Sequence, residues 1–315
     1  MRFEAKYYQK FCIQKILENP ELGLLLDMGM GKTAITLSAV EELIYDCFSI
    51  RKVLVIAPLQ PAKETWPVEI EKWDHTKHMT FSMIIGSQQV RIEALRREAD
   101  IYIINRENVQ SLVNYYKKKW PFDMVVIDEL SSFKSSKAQR FRALKKVRPY
   151  IKRIVGLTGT PSPKGLLDLW PEMYLLDGGK ALGKTLTGYR DQYFLPDKRN
   201  QQMIFSWKPR QNAEEEIYKK LEGLCISMKT ADYLQLPERL DVRHEIELSE
   251  ETLAIYRKLE KDMLLPYEDG DIDAGSAAIL TNKLLQVAGG AAYNENGDVK
   301  ILHDEKLNAL DTLIE

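Results

Sequence analysis

The chain has 315 residues, 44% hydrophobic and 29% charged, and its 45 lysines and arginines nearly balance 46 aspartates and glutamates, for a net charge of −1. Such a length suits about two domains, and such a composition excludes a disordered chain, while the neutral balance excludes a protein that holds nucleic acid by overall charge. No apolar run is long enough to span a membrane, the N-terminus "MRFEAKYYQKF" lacks a signal peptide's apolar stretch, and Cys12, Cys47 and Cys225 lie far apart with no C-x-x-C spacing, so the expectation is a soluble protein of a reducing compartment, cytoplasmic or nuclear, without a membrane partner.

In chain order, "LGLLL" (Leu22 to Leu26) suits a strand buried on both faces, and "TAITLSAVEELIYD", with neither Gly nor Pro inside, predicts a helix over 33–46. "KVLVIAP" (52–58) is a β-branched run ending in a turn signal, and a helix is expected after Pro67 in "AKETWPVEIEKW". "FSMIIG" (81–86), "QQVRIEALRREA" (88–99) and "IYIIN" (101–105) repeat strand, helix, strand. "VQSLVNYYKKKW" (109–120) then reads as a helix, "FDMVVIDE" (122–129) as a strand, "AQRFRALKKV" (138–147) as a helix and "RIVGLTGT" (153–160) as a strand. This alternation predicts an α/β fold with a doubly wound parallel sheet.

Beyond 165 the alternation stops. Helical patterns fall near 166–176, 212–226, 249–264 and 276–287, the polar stretch 196–212 is expected to project, and 241–249 alternates like a strand ahead of an N-cap at Ser249. Three segments follow: 1–165, a nucleotide-binding lobe; 166–240, a mostly helical insertion; and 241–315, a linking region. His75 and His78 in "WDHTKH", near Glu71, belong to a polar loop rather than a zinc site, because His244 and His303 offer no second pair.

Two loops compete for a phosphate. "GGKALGKT" (178–185) matches G-x-x-x-x-G-K-[ST] letter for letter, whereas "LDMGMGKT" (26–33) has Leu26 in place of the first glycine. A phosphate cradle needs a strand to aim it and a helix to leave it. Those flank Lys32; Lys184 instead follows a helical pattern containing Pro171 and precedes Gly188. Residues 178–185 are therefore expected to be a surface connection. Met28, Gly29, Met30, Gly31, Lys32 and Thr33 are expected to hold ATP, with backbone amides around the β- and γ-phosphates, Lys32 neutralising them and the Thr33 hydroxyl on Mg²⁺.

In doubly wound sheets, ligands sit outside the carboxyl ends of the strands. Asp128 ends one strand and is expected to hold the same Mg²⁺ through water. Glu129 beside it is the candidate to orient or deprotonate the attacking water. Thr158, Gly159 and Thr160 end a third strand.

These residues carry a resemblance. "DMGMGKT", "VLVIAPLQPAKETWPVEIEKW", "VVIDELSSFK" and "LTGTPSP" resemble motifs I, Ia, II and III of superfamily 2 helicases, specifically the Swi/Snf branch of DNA translocases. "KYYQKFCIQKIL" is similar to that branch's Gln motif, which implies Gln9 near the adenine. "DLWPEMYLLDGG", "SMKTADYLQLPERLDVRHEIELS" and "KLLQVAGG" resemble, more weakly, the stretch joining the two motor lobes. The resemblance implies a RecA-like lobe, ATP and Mg²⁺ as cofactors, and Ser131, Thr158, Gly159 and Thr160 as groups coupling nucleotide to movement. Two departures stand out: motif II reads D-E-L-S rather than D-E-A-H, and "SMKTAD" leaves only Lys229 where relatives carry two arginines. "DEKLNALDTLIE" resembles the entry to the second motor lobe, so the expectation is a chain lacking motifs IV to VI and the arginines they bring to the γ-phosphate, hence nearly inactive by itself.

Residues 131–153 contain nine Lys or Arg and no acid, a local basic patch that also suits a solvated helix face. Lys145 and Lys146 within it, and by resemblance Pro58, Thr65 and the Asn105 to Asn108 region, are the candidate contacts to a duplex DNA backbone, read without sequence preference. The composite expectation is the first lobe of an ATP-driven DNA translocase. The alternative is a nucleotide-gated DNA-binding module with little turnover; protein partners are not legible.

Overall fold

The computed structural model describes residues 1–159, 165–198, 204–233, 242–266 and 270–314. It divides into two compact units, Met1–Leu236 and Pro237–Glu315.

The first unit runs α1 (Tyr7–Glu18), β1 (Glu21–Leu26), α2 (Lys32–Tyr45), β2 (Val53–Ala57), α3 (Trp66–Lys72), β3 (Phe81–Ile84), α4 (Gln88–Arg96), β4 (Ile101–Asn105), α5 (Val109–Tyr116), β5 (Met124–Asp128), α6 (Gln139–Val147) and β6 (Arg153–Thr158). It continues through α7 (Leu169–Asp177), α8 (Leu186–Tyr193), the hairpin β7 (Phe194–Pro196) and β8 (Trp207–Pro209), α9 (Ala213–Leu221), β9 (Cys225–Met228) and α10 (Thr230–Tyr233). Seven strands form one parallel sheet in the order β3-β4-β2-β5-β6-β1-β9.

The apolar runs are continuous because helices cover both faces. Val53, Val55 and Val126 turn to the face covered by α1, α2 and α3, where Ile16, Ile35, Leu37 and Trp66 are fully buried. Leu54, Ile56, Val125 and Ile127 turn to the other face, packed by α5 to α9 through Leu112, Phe141, Trp170, Tyr189 and Ile217. Each such side chain contributes about 1.5–3 kcal/mol over its exposed state, which is what holds these helices to the sheet.

Several expectations are corrected here. The 212–226 helix stops at Leu221, and Cys225–Met228 becomes a seventh strand, pairing Gly23↔Cys225 through Leu26↔Met228. The helix of 109–120 ends at Tyr116, where Lys117 takes φ +50°. Helical backbone precedes Pro67, through a π-type turn over Pro61–Thr65. Residues 242–249 form no strand, so the alternation there is not realised within the described part. The units also divide the chain differently from the three expected segments: α7, α8, α9 and β9 belong to the sheet's own core rather than to a separate insertion.

The second unit comprises α11 (Glu250–Asp262), β10 (Leu264–Leu265), β11 (Ile272–Asp273), α12 (Ala277–Ala288), β12 (Ala291–Tyr293), β13 (Val299–Ile301) and α13 (Glu305–Ile314), with two short antiparallel pairs, β10 with β11 and β12 with β13. Ser249 accepts from Thr252 N as the N-cap of α11. Leu259, Leu265, Ile272 and Val287 make its small core.

Candidate nucleotide site

The loop between β1 and α2 is shaped by two glycines in left-handed backbone, Gly29 at φ +80° and Gly31 at φ +77°, which a side chain would strain. At Gly31 a Cβ would also come within 2.7 Å of Gln9 Nε2. α1 closes this side: Tyr8 Oη donates to Met30 O at 3.2 Å and Gln9 Nε2 to the same oxygen at 3.3 Å, while Lys6 N donates to Gln9 Oε1 at 2.9 Å. Lys32 opens α2, and its ammonium donates to Leu26 O at 2.7 Å and Asp27 O at 3.0 Å. Burial lowers the Lys32 pKa, against the opposing pull of Asp128, Glu129 and Asp27. An ammonium partly stripped of water gains most from an anion brought to it.

The second wall comes from β5. Asp128 ends that strand, and Trp66 Nε1, from the start of α3, donates to its Oδ2 at 2.9 Å. Burial raises the Asp128 pKa, and the indole hydrogen bond works the other way. Glu129 follows in left-handed backbone, φ 57° and ψ 62°, a conformation that costs a non-glycine residue about 1–3 kcal/mol. That turn sets its carboxylate against two hydroxyls, Ser131 Oγ and Thr158 Oγ1, both donating to Oε1, the latter at 3.3 Å. The motif II serine thus touches the glutamate, and the glutamate touches the end of β6. Thr160 lies outside the described residues.

A cavity of about 470 Å³ joins these parts, lined by Met28, Gly29, Gly31, Lys32, Thr33, Thr65, Glu129 and Gly159 among others. The donors fit Mg²⁺, a hard cation that takes one or two carboxylates and completes its shell with phosphate oxygens and water: the Thr33 hydroxyl and the Asp128 carboxylate, one oxygen of which Trp66 orients, are the protein groups that would hold it. Among the described residues no three acids, histidines or cysteines gather as a metal cage. A cavity of similar volume lies between α4 and α5, among Gln88, Arg91, Asn108 and Tyr115, at the β3–β4 edge of the sheet and away from β1.

The loop at 178–185 joins α7 to α8. Asp177 accepts from Gly179 N and Ala181 N, Trp170 Nε1 donates to Gly183 O, and Lys184 is exposed. No strand of the sheet leads into it.

A model of the SNF2-related domain matches residues 8–291. The chain belongs to the SNF2-related domain family. This SNF2-related domain is 34% identical over 319 residues to protein p41 of Acyrthosiphon pisum secondary endosymbiont phage 1, covering 99% of the chain and 69% of p41. It is 25% identical to an ATP-dependent helicase of Mycoplasma genitalium, over 96% of the chain and 28% of that helicase, and 27% identical to helicase SWR1 of Saccharomyces cerevisiae, over 61% and 13%. In structure it resembles the Sulfolobus solfataricus SWI2/SNF2 ATPase core in complex with dsDNA, with a TM-score of 0.62, 21% identity, and coverage of 91% of this chain and 58% of that one. The likeness shows a shared fold, and the chain spans much less than the full length of the two helicases and of the archaeal core.

The candidate DNA contacts are scattered. Pro58 is half-buried, and Thr65 is exposed at the rim of the nucleotide cavity. Asn105 is buried and bonded to Glu107 and Asn108. Of the nine basic residues in 131–153, several are engaged within the domain: Arg148 holds Leu175 O and Leu176 O and pairs with Glu21, Arg153 holds three carbonyls around the end of α1, Arg140 donates to Ser132 O, and Lys152 pairs with Asp123. Lys145 lies over the Tyr174 ring at 4.4 Å, whereas Lys146 is exposed. Tyr8, Asp27 and Trp66 lie within the quoted motifs, but their contacts at the candidate site, with Met30, Lys32 and Asp128, were not legible there.

Proposed function

We propose that this chain is the ATP-binding first motor lobe of a Swi/Snf-type translocase, and that ATP hydrolysis in the whole motor drives movement along duplex DNA without sequence preference. The observation that carries this reading is the meeting of Lys32, Asp128 and Glu129 at the carboxyl ends of adjoining parts of one sheet, with Thr158 hydrogen-bonded to Glu129. Mg²⁺, when bound, supplies a positive centre that neutralises charge on the phosphates. Lys32 would hold the phosphates, and the amides of the loop would aim them. Glu129, fixed by two hydroxyls, would accept a proton from the attacking water. Hydroxyl bonds from Ser131 and Thr158 to that same oxygen would relay its protonation to the end of β6. The family membership and the fold shared with a SWI2/SNF2 core support the assignment.

Titrating a fluorescent ATP analogue into Lys32→Ala and Lys184→Ala tests the choice of loop. Removing a cation that faces two phosphates is expected to weaken binding at least 100-fold, on the order of 3 kcal/mol, while Lys184→Ala binds as the parent does. Equal loss in both variants would overturn the assignment. Phosphate release with and without duplex DNA, measured with the second motor lobe present, then separates a motor lobe from a module that only binds.

A further inference from the structure

Asp27 is bonded on three sides at once. Its carbonyl accepts from Lys32 Nζ at 3.0 Å, its carboxylate Oδ2 accepts from Thr230 N at 2.8 Å, and its own N–H donates to Met228 O at 3.3 Å. The last two bonds fasten the segment that leaves the first unit: β9, lying parallel against β1, and α10, after which the second unit begins at Pro237. A second fastening lies beyond Asp27. The Tyr233 ring packs on Tyr8 with centroids 5.5 Å apart, and Tyr8 holds Met30 O. The phosphate loop and the outgoing segment thus share two joints, one directly at Asp27, ahead of Gly29, and one through Tyr8 at Met30, between Gly29 and Gly31.

We propose that Asp27 and Tyr8 form a clasp through which nucleotide occupancy of the loop is passed to residues 228–233. The inference rests on the loop being a nucleotide site, as proposed above. Lys32 directs its ammonium at Leu26 O and Asp27 O. An ammonium has three protons, so engaging two phosphates leaves at most one for these carbonyls, and the longer bond, to Asp27 O at 3.0 Å, yields before the one to Leu26 O at 2.7 Å. Residue 27 is then held from the segment's side alone and can turn. The bonds hung from it, one of them already long at 3.3 Å, weaken. Nucleotide binding therefore loosens the segment. Since coupling between two equilibria is reciprocal, loosening the segment strengthens nucleotide binding by the same factor.

The test is amide hydrogen exchange on the 315-residue chain with and without Mg²⁺ and ATPγS, alongside a titration of the same sample. Amides of Thr230–Tyr233 are expected to exchange about fivefold faster or more with nucleotide bound, a coupling at the lower end of the usual range. Thr230→Pro removes the N–H that Asp27 accepts, at the first position of a helix, where proline is tolerated. It is expected to bind ATPγS about fivefold more tightly. Tyr233→Ala, which opens the other joint and leaves the backbone donors in place, is expected to shift binding in the same direction, and it decides the matter if the proline variant does not fold. If nucleotide binds and exchange at 230–233 is unchanged or slowed, or if both folded variants bind no more tightly than the parent, the clasp is overturned while the site stands. If the parent binds no ATPγS, the nucleotide assignment falls and takes the clasp with it.

Discussion

Glu172 is fully buried in the first turn of α7, and among the described residues neither of its carboxyl oxygens has a hydrogen-bond partner. Burial pushes its pKa up to about 8, with Asp168 and Glu129 adding to the rise and Lys134 opposing it. The folded pKa thus stands above the unfolded one, so the native state binds the proton more tightly. Stability from this group is full below the unfolded value of 4.5 and is lost as pH rises toward 8. A difference of this size corresponds to about 5 kcal/mol across the window. Urea unfolding of Glu172→Gln is therefore expected to show a flatter pH dependence than the parent between acid and mildly alkaline pH, and the variant should be the more stable of the two at alkaline pH. Parallel curves for the two proteins would mean that the carboxyl already ionises in the fold. Nothing in the sequence marks this residue, because its character comes from what α7 packs against. The same holds for Trp66, whose indole reaches Asp128 from 62 residues away. Lys32, Asp128 and Glu129 were legible for the opposite reason: each is specified by its immediate neighbours, an apolar strand before it and a turn or helix after it.

At the level of elements, the strongly patterned strands and helices up to β6 were legible because burial on both faces leaves them apolar throughout. β9 was not. It has four residues, it lies at the sheet edge, and its "CISM" continues a helical-looking stretch, so only its pairing with β1 defines it. The basic helix α6 teaches a similar lesson, since a run of charge does not say which charges are free. Its two neighbouring lysines are differently placed: Lys145 Nζ sits 4.4 Å from the centre of the Tyr174 ring and 5.6 Å from that of Trp170, and Lys146 faces outward. Their single alanine variants should therefore separate two effects. Lys145→Ala is expected to cost about 0.5–1 kcal/mol of stability through the lost cation–π contact and packing. Lys146→Ala is expected to leave stability alone and, if α6 meets a DNA backbone, to reduce the slope of log K against log salt by about one. Thermal unfolding and DNA binding at several salt concentrations measure both. A Lys146→Ala slope equal to the parent's would assign α6 to a solvated face.

For the whole molecule, the two units differ in what holds each together. The first closes both hydrophobic faces of a seven-stranded sheet within Met1–Leu236, and β9 completes the sheet beside the strand that carries the phosphate loop. Among its described residues the second rests on a handful of buried ones, Leu259, Leu265, Ile272, Ala274, Val287 and Ala292, which is a small core. Leu307, Leu310, Leu313 and Ile314 of its last helix are exposed. The energetics therefore assign folding autonomy to the first unit. Residues 1–236 produced alone are expected to unfold in one cooperative transition and to bind a fluorescent ATP analogue within about threefold of the 315-residue chain, since Gln9, Lys32, Asp128, Glu129 and the Asp27–Thr230 bond all lie inside it. A cut at residue 165, by contrast, removes α7, α8, α9 and β9, exposes the face that Trp170, Tyr189 and Ile217 cover, and leaves β1 as an edge strand paired to β6 alone. The shorter fragment is expected to aggregate or to bind dye as a partly folded chain. Cooperative unfolding and ATP-analogue binding by residues 1–165, matching those of 1–236, would show that the helices after β6 are an appendage to the lobe rather than part of its core.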